Sequence, residues 1–271
     1  MPIQICTTCG TSFPDAANPP PAYPICDDER QYVARSGQAW TTPARLAAAH
    51  ANAWRQLEAD LFEIHTQPGF AIGQRAVLLR TRTGNILWDC ITLFDDATKA
   101  LVESLGGLKA IAISHPHYYT SMQDWAHAFG CPVHLHAADA EWVMRGDPAI
   151  RHWQGETLQI MPGVTLLRLG GHFPGGTVLH WAGGAEGRGA LLSGDIVQVA
   201  ADLNRVSFLW SYPNMMPLAA ATVRRIADTL KPWRFERIYG AFPGRQVMAN
   251  GALAVERSAS RYIELLQGRQ D

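Results

Sequence analysis

The sequence predicts an α/β fold in which two mixed β-sheets carry helices on their outer sides. Short apolar runs that read as buried strands alternate with helical stretches, and they do so in two successive halves. Several of those strands run straight into histidines, glycines or an aspartate. The chain has 271 residues, 47% of them hydrophobic and 17% charged, enough to bury a sizeable core as one domain with a small appendage. No internal repeat of solenoid length is present.

Bulk charge excludes some classes of partner. The 23 basic and 24 acidic residues leave a net charge of −1, without the basic excess that nucleic acid or an acidic membrane would attract. The start, M-P-I-Q-I-C-T-T-C-G, lacks a basic segment followed by an apolar core, and no run of eighteen apolar residues occurs. The expectation is a soluble cytoplasmic protein acting on a small molecule.

Residues 1–40 read as an arm and linker, and residues 41–271 as the main domain. Of the five cysteines, Cys90 and Cys131 sit singly beside apolar strands and read as reduced core residues. The other three lie in the arm. C-T-T-C-G followed by Y-P-I-C-D-D looks like a zinc ribbon of the type C-x2-C…C-x2-C, with Tyr23 where a fourth thiol belongs. Cys6, Cys9 and Cys26 are therefore candidate ligands of a second, structural zinc. Asp27 or Asp28 can supply the fourth ligand, a water can, or the proline-rich A-A-N-P-P-P-A stretch can mark a loose arm without metal.

Residues 27–40 read as a polar linker. Thr42 and Pro43 then open a helix whose apolar face is Leu46, His50, Trp54, Leu57 and Leu61, at spacings of three and four. Strands are expected at 61–66, 75–81 and 85–91, the last two joined by the turn T-R-T-G-N. A helix over 96–105 ends at Gly106 and Gly107, and one over 121–129 ends at Gly130. A strand at 132–136 passes into a helix over 137–145; strands at 164–169, 177–181, 190–195 and 234–240 follow, with helices over 217–230 and 252–266.

The stretch 111–120, I-A-I-S-H-P-H-Y-Y-T, organises the rest. An apolar strand ends in His115 and His117, whose i, i+2 spacing turns both rings to one side of an extended segment, toward one ion about 2 Å away. Two further strand ends add donors: L-L-R-L-G-G-H supplies His172 among four glycines that permit tight, positive-φ turns, and A-L-L-S-G-D supplies Asp195. Three imidazoles and a carboxylate are a set that zinc accepts. His50, His134, His136 and His180 read as structural histidines.

The order of these motifs resembles the metallo-β-lactamase fold hydrolases, over roughly residues 60–245. Asp89, in N-I-L-W-D-C, stands where that family carries a structural aspartate. The resemblance implies an αββα sandwich and a metal site at His115, His117 and His172, with Asp195 as ligand or orienting base. It also shows departures. Tyr119 and Thr120 stand where the family has Asp and His, and Ala241 or Phe242 where it has its last His, so the second metal site is degenerate and one ion is expected.

A zinc ion on three neutral imidazoles keeps an open position and can lower the pKa of its water to about 7, so the expected chemistry is attack of a metal-bound hydroxide on an ester, lactone, amide or thioester. Asp195 would take the water proton, and Tyr118 or Tyr119 would donate to the developing oxyanion. Arg245 is a candidate for a substrate carboxylate. Trp210 and Tyr212 belong to an aromatic stretch with Phe208, Met215 and Met216 that either walls the substrate pocket or packs onto the core. Two alternatives stand beside the hydrolase: a mononuclear iron enzyme with redox chemistry, and an adaptor with a vestigial site. A nuclease is disfavoured, because phosphodiester cleavage in this fold relies on a two-metal clamp.

Overall fold

Residues 3–41 contribute a small three-stranded sheet in the order β2-β1-β3, from β1 (Ile3–Cys6), β2 (Ser12–Asp15) and β3 (Trp40–Thr41). The computed structural model describes residues 2–269, and the chain divides into two units, Met1–Trp153 and Gln154–Asp271. The β1–β2 turn needs glycine at its end. Gly10 has φ +82°, and a Cβ there would stand 2.3 Å from Thr92 Oγ1, whose hydroxyl donates to the Gly10 carbonyl. Ser12 donates from both its amide and its hydroxyl to the Thr120 carbonyl, so the arm is hydrogen-bonded to the body of its own unit.

Behind the arm the first unit holds a seven-stranded sheet in the order β10-β9-β8-β7-β6-β5-β4. Its strands are β4 (Ala51–Glu58), β5 (Leu61–Gln67), β6 (Arg75–Thr81), β7 (Gly84–Trp88), β8 (Ala110–Ala112), β9 (Val133–His136) and β10 (Ile150–Trp153). From β4 to β7 the chain is an antiparallel meander, and from β7 to β10 every pair is parallel. Parallel neighbours need a crossover. The helix Asp96–Ser104 supplies one, its Asp95 side chain accepting from the Thr98 amide, and Met122–Phe129 supplies the next, closed by Gly130 at φ +61°. The β8 residues are buried throughout, the apolar run expected of a covered parallel strand. The loops after β7 and β8, which carry Asp89 and His115, therefore emerge side by side at one end of the sheet.

Three sequence expectations change in this unit. The long helix through Leu61 is absent: helix Pro43–Ala49 stops at His50, which is extended at φ −139° and ψ 156°, and Ala51–Glu58 is strand β4. The stretch over 137–145 is a kinked 3-10 turn, Ala137–Trp142, capped by His136 accepting from the Ala138 amide. The short helix Pro24–Asp27 runs up to the start of the polar linker, and within that linker Arg30 and Gln31 are buried.

The second unit is a six-stranded sheet in the order β11-β12-β13-β14-β19-β20. Its strands are β11 (Thr157–Met161), β12 (Val164–Arg168), β13 (Thr177–Trp181), β14 (Ala190–Gly194), β15 (Gln198–Val199), β16 (Val206–Ser207), β17 (Leu209–Ser211), β18 (Met216–Pro217), β19 (Arg237–Gly240) and β20 (Gln246–Val247), with β15–β16 and β17–β18 as separate two-stranded ribbons. The parallel pair is β14–β19, joined through the helix Ala220–Leu230. That helix begins three residues later than 217, because Met216 and Pro217 pair with β17. Leu167, Val178, Leu191 and Ile238 of the sheet pack with Val223 and Ile226 of this helix and with Val255 and Ala259 of Gly251–Leu266. This core holds the loop after β12 and the end of β14, where His172 and Asp195 lie. No helix among the described residues is long and apolar enough to cross a membrane.

Candidate functional site

In the first unit the site begins one residue past β7. Asp89 is buried and adopts φ +59°, a left-handed conformation that turns its carboxylate toward the end of β8. Its Oδ1 accepts the Ser114 amide at 2.7 Å. The carboxylate also accepts the Ser114 hydroxyl, and these two bonds oppose the burial that pushes its pKa up to about 7. A hydroxyl has one proton to give. With that proton on Asp89, the Ser114 oxygen accepts from His115 Nδ1, 2.9 Å away, and the lone pair of the His115 ring is left on Nε2.

His115 and His117 are both buried, with ring centroids 5.0 Å apart and planes at 73°. The extended i, i+2 geometry expected from sequence holds only at His115, at φ −169° and ψ 172°. His117 sits in a 3-10 turn, Pro116–Tyr118, and this turn sets the ring pair. Tyr118 is fully buried with its ring 5.0 Å from that of His115. Tyr119 behaves differently: its hydroxyl donates to the Asp139 carbonyl at 3.4 Å, and burial holds its phenol well above the usual range. Thr120 has φ +33° and its carbonyl accepts the two Ser12 bonds.

In the second unit His172 follows Gly170 and Gly171, at φ +62° and +87°; a Cβ on Gly171 would press on Ile226 and Leu218 at 3.0 Å. The loop can thus lie on the core and still turn sharply enough to present the ring. His172 Nδ1 lies 2.7 Å from the Trp210 carbonyl, which can only accept, so Nδ1 carries the proton and Nε2 the lone pair. Phe173 and Tyr212 stand edge-on to the ring at 5.1 and 5.4 Å. The Tyr212 hydroxyl donates to the Asp195 main-chain carbonyl at 2.6 Å, and burial followed by the Asp195 charge raises its phenol well above the usual range. Asp195 is itself buried.

Each unit therefore gathers part of the expected set: Asp89, His115, His117 and Tyr118 in the first, His172, Trp210, Tyr212 and Asp195 in the second. Arg245 lies at the β19–β20 turn, with Nη1 donating to the Ala200 carbonyl at 3.2 Å. Ala241 is buried where the family pattern has its last histidine. Cys6, Cys9 and Cys26 form a separate buried cluster, their sulfurs within 4.8 Å of one another. Sequence reading missed Ser114 and the Trp210 carbonyl. A serine directly before His115 was visible, but only the positive φ of Asp89 makes it a link, and a backbone carbonyl leaves no mark in sequence.

The fold is that of solved metallo-β-lactamases. DIM-1 aligns with a TM-score of 0.60 over 79% of this chain and 98% of its own, at 13% identity. VMB-1 aligns with 0.59 over 79% and 98%, at 11% identity, and SMB-1, in a complex with mercaptoacetic acid, with 0.55 over 80% and 95%, at 18% identity. These likenesses bear out the α/β class and the resemblance read from the motifs. No protein-family model matches the chain. The uncharacterized protein YmaE of Bacillus subtilis (strain 168) is 49% identical over 268 residues, 98% of this chain and 97% of that protein. The chain belongs to the YmaE family. Within the YmaE family this chain thus combines a metallo-β-lactamase fold with a tyrosine and a threonine at 119 and 120 and an alanine at 241.

Proposed function

We propose that the chain is a metal-dependent hydrolase of a small molecule, with a single zinc ion held by His115, His117 and His172 and with Asp195 beside it. The observation that supports this most is the fixing of ring tautomers. Ser114 Oγ accepts a hydrogen bond from His115 Nδ1 and the Trp210 carbonyl accepts one from His172 Nδ1, which is how metal-ligating imidazoles are oriented from behind. A divalent ion in this donor set supplies Lewis acidity and a water acidified to near neutrality.

The chain's own groups do the rest. Asp195 accepts the proton of the attacking water, with its main chain held by Tyr212. Tyr118, edge-on to His115, or Tyr119, whose hydroxyl donates to the Asp139 carbonyl, is the oxyanion donor of this reading. Trp210 and Tyr212 line the approach to His172, and Arg245 meets a carboxylate on the substrate. With no imidazole or carboxylate at 119, 120 and 241, the reading is mononuclear, and ester, lactone, amide and thioester bonds are the substrates to assay.

Elemental analysis of the wild type and of a His115→Ala, His117→Ala double variant tests the reading. About one zinc per chain lost in the variant supports it. Equal metal content in the two proteins overturns it, and iron in place of zinc moves the chemistry to redox.

A further inference from the structure

The arm carries a second constellation that the hydrolase reading leaves unused. Cys6 closes β1, Cys9 lies in the β1–β2 turn, and Cys26 lies in the helix Pro24–Asp27. The Cys9 amide points at Cys6 Sγ, 3.4 Å away, while the Gly10 amide donates to the Cys6 carbonyl at 2.9 Å. Such a turn folds a C-x2-C pair around a point next to the first sulfur. Cys6 Sγ and Cys26 Sγ are 3.5 Å apart. A disulfide needs about 2.05 Å, whereas sulfurs at about 2.3 Å from a tetrahedral zinc are about 3.8 Å apart. All five cysteines are free thiols.

The surroundings suit an ion more than three bare thiols. Tyr23, Val33, Trp40, Trp142 and Met144 pack around the cluster and keep it from water. A dication among three buried sulfurs is bound by their thiolate forms.

The fourth position is also occupied. Asp27 is exposed, and Asp28 is gripped by the Arg30 guanidinium at 2.5 and 2.9 Å, so neither carboxylate expected from sequence faces the sulfurs. The side-chain amide of Gln38 stands there, 2.6 Å from Cys6 Sγ. A half-turn of that amide presents its oxygen in place of its nitrogen. We propose that Cys6, Cys9 and Cys26, completed by the Gln38 amide oxygen, hold a structural zinc ion. This site is independent of the histidine centre. It fastens the arm to the segment around Trp142, over whose ring Arg30 lies at 5.0 Å.

Cobalt loading of the full chain under reducing conditions tests this, because sulfur ligation produces a thiolate-to-cobalt charge-transfer band that a histidine site lacks. The band should appear in the wild type, persist in the His115→Ala, His117→Ala variant, and vanish in Cys26→Ser together with one metal equivalent. Gln38→Ala should keep the band but shift the ligand-field bands and release zinc more readily to a chelator. Should Cys26→Ser fail to fold, titrating the zinc-loaded wild type with a mercurial should release zinc in step with modification of the arm thiols. Absence of the band in wild type, or a disulfide among the three cysteines in place of metal, overturns the site. Ligand-field bands unchanged by Gln38→Ala overturn the fourth ligand.

Discussion

Asp89 Oδ1 and the Ser114 amide lie 2.7 Å apart, and this bond ties the loop after β7 to the loop that carries His115. Asp89→Ala removes the acceptor and strands a buried amide, at a cost of about 1–3 kcal/mol, and places a residue with no polar side chain at φ +59°. Asp89→Asn keeps an acceptor and tolerates that φ. Thermal melts should order the proteins wild type, Asn, Ala, and zinc analysis should show the alanine variant retaining less metal at the histidine centre.

Glu63 lies between two arginines, Arg55 at 2.8 Å and the fully buried Arg75. Glu63→Gln leaves Arg75 as a buried cation without its counter-charge and should cost about 3–5 kcal/mol. The Arg55 side chain is 49% exposed, and Arg55→Ala should cost under about 1 kcal/mol. Urea denaturation distinguishes the two; equal losses would show that the pair does not act as a buried unit.

The Tyr212 hydroxyl reaches the Asp195 carbonyl at 2.6 Å while the tyrosine ring rests on His172. Tyr212→Phe keeps the ring contact and removes the donor, for about 1–3 kcal/mol. If Asp195 is the proton acceptor, turnover on a cleavable ester should fall through kcat more than through KM, because the main chain that carries the carboxylate loses its support and the ring wall stays.

Burial lowers the pKa of His180, whose Nε2 donates to the Arg234 carbonyl at 2.8 Å, and of His134, which burial and the Arg151 charge both lower. The unfolded chain binds these protons more readily than the folded one. Their contribution is therefore fully present above the ordinary value of 6.5 and is lost as the pH falls below it. His180→Gln keeps a donor for Arg234 and does not titrate, so the stability gap between it and wild type should narrow as the pH drops from about 6.5.

The sequence was most legible where one residue type has one physical reading. The strand Ala110–Ala112, the glycines around His172 and the helix stop at Gly130 all lie where pattern and turn chemistry put them. It was least legible at Ala51–Glu58. Leu46, His50, Trp54, Leu57 and Leu61 satisfy a helical period by coincidence, and pairing of Trp54 with Ile64 and Gln56 with Phe62 decides for a strand. In the candidate site the imidazoles were legible because metal chemistry restricts the donors. The Ser114 relay and the Trp210 carbonyl were not, because they depend on backbone placement that no local pattern encodes.

Strand β4 ends the seven-stranded sheet and pairs, among the described residues, on one side with β5. Its other row of amides and carbonyls is a template on which a second polypeptide could grow. The strand carries Arg55 and Glu58, breaks its register between Gln56 and Glu58, and keeps several residues exposed. Charge and a bulge at a sheet margin disfavour intermolecular strand addition, so this border guards the protein against amyloid-like association while it folds.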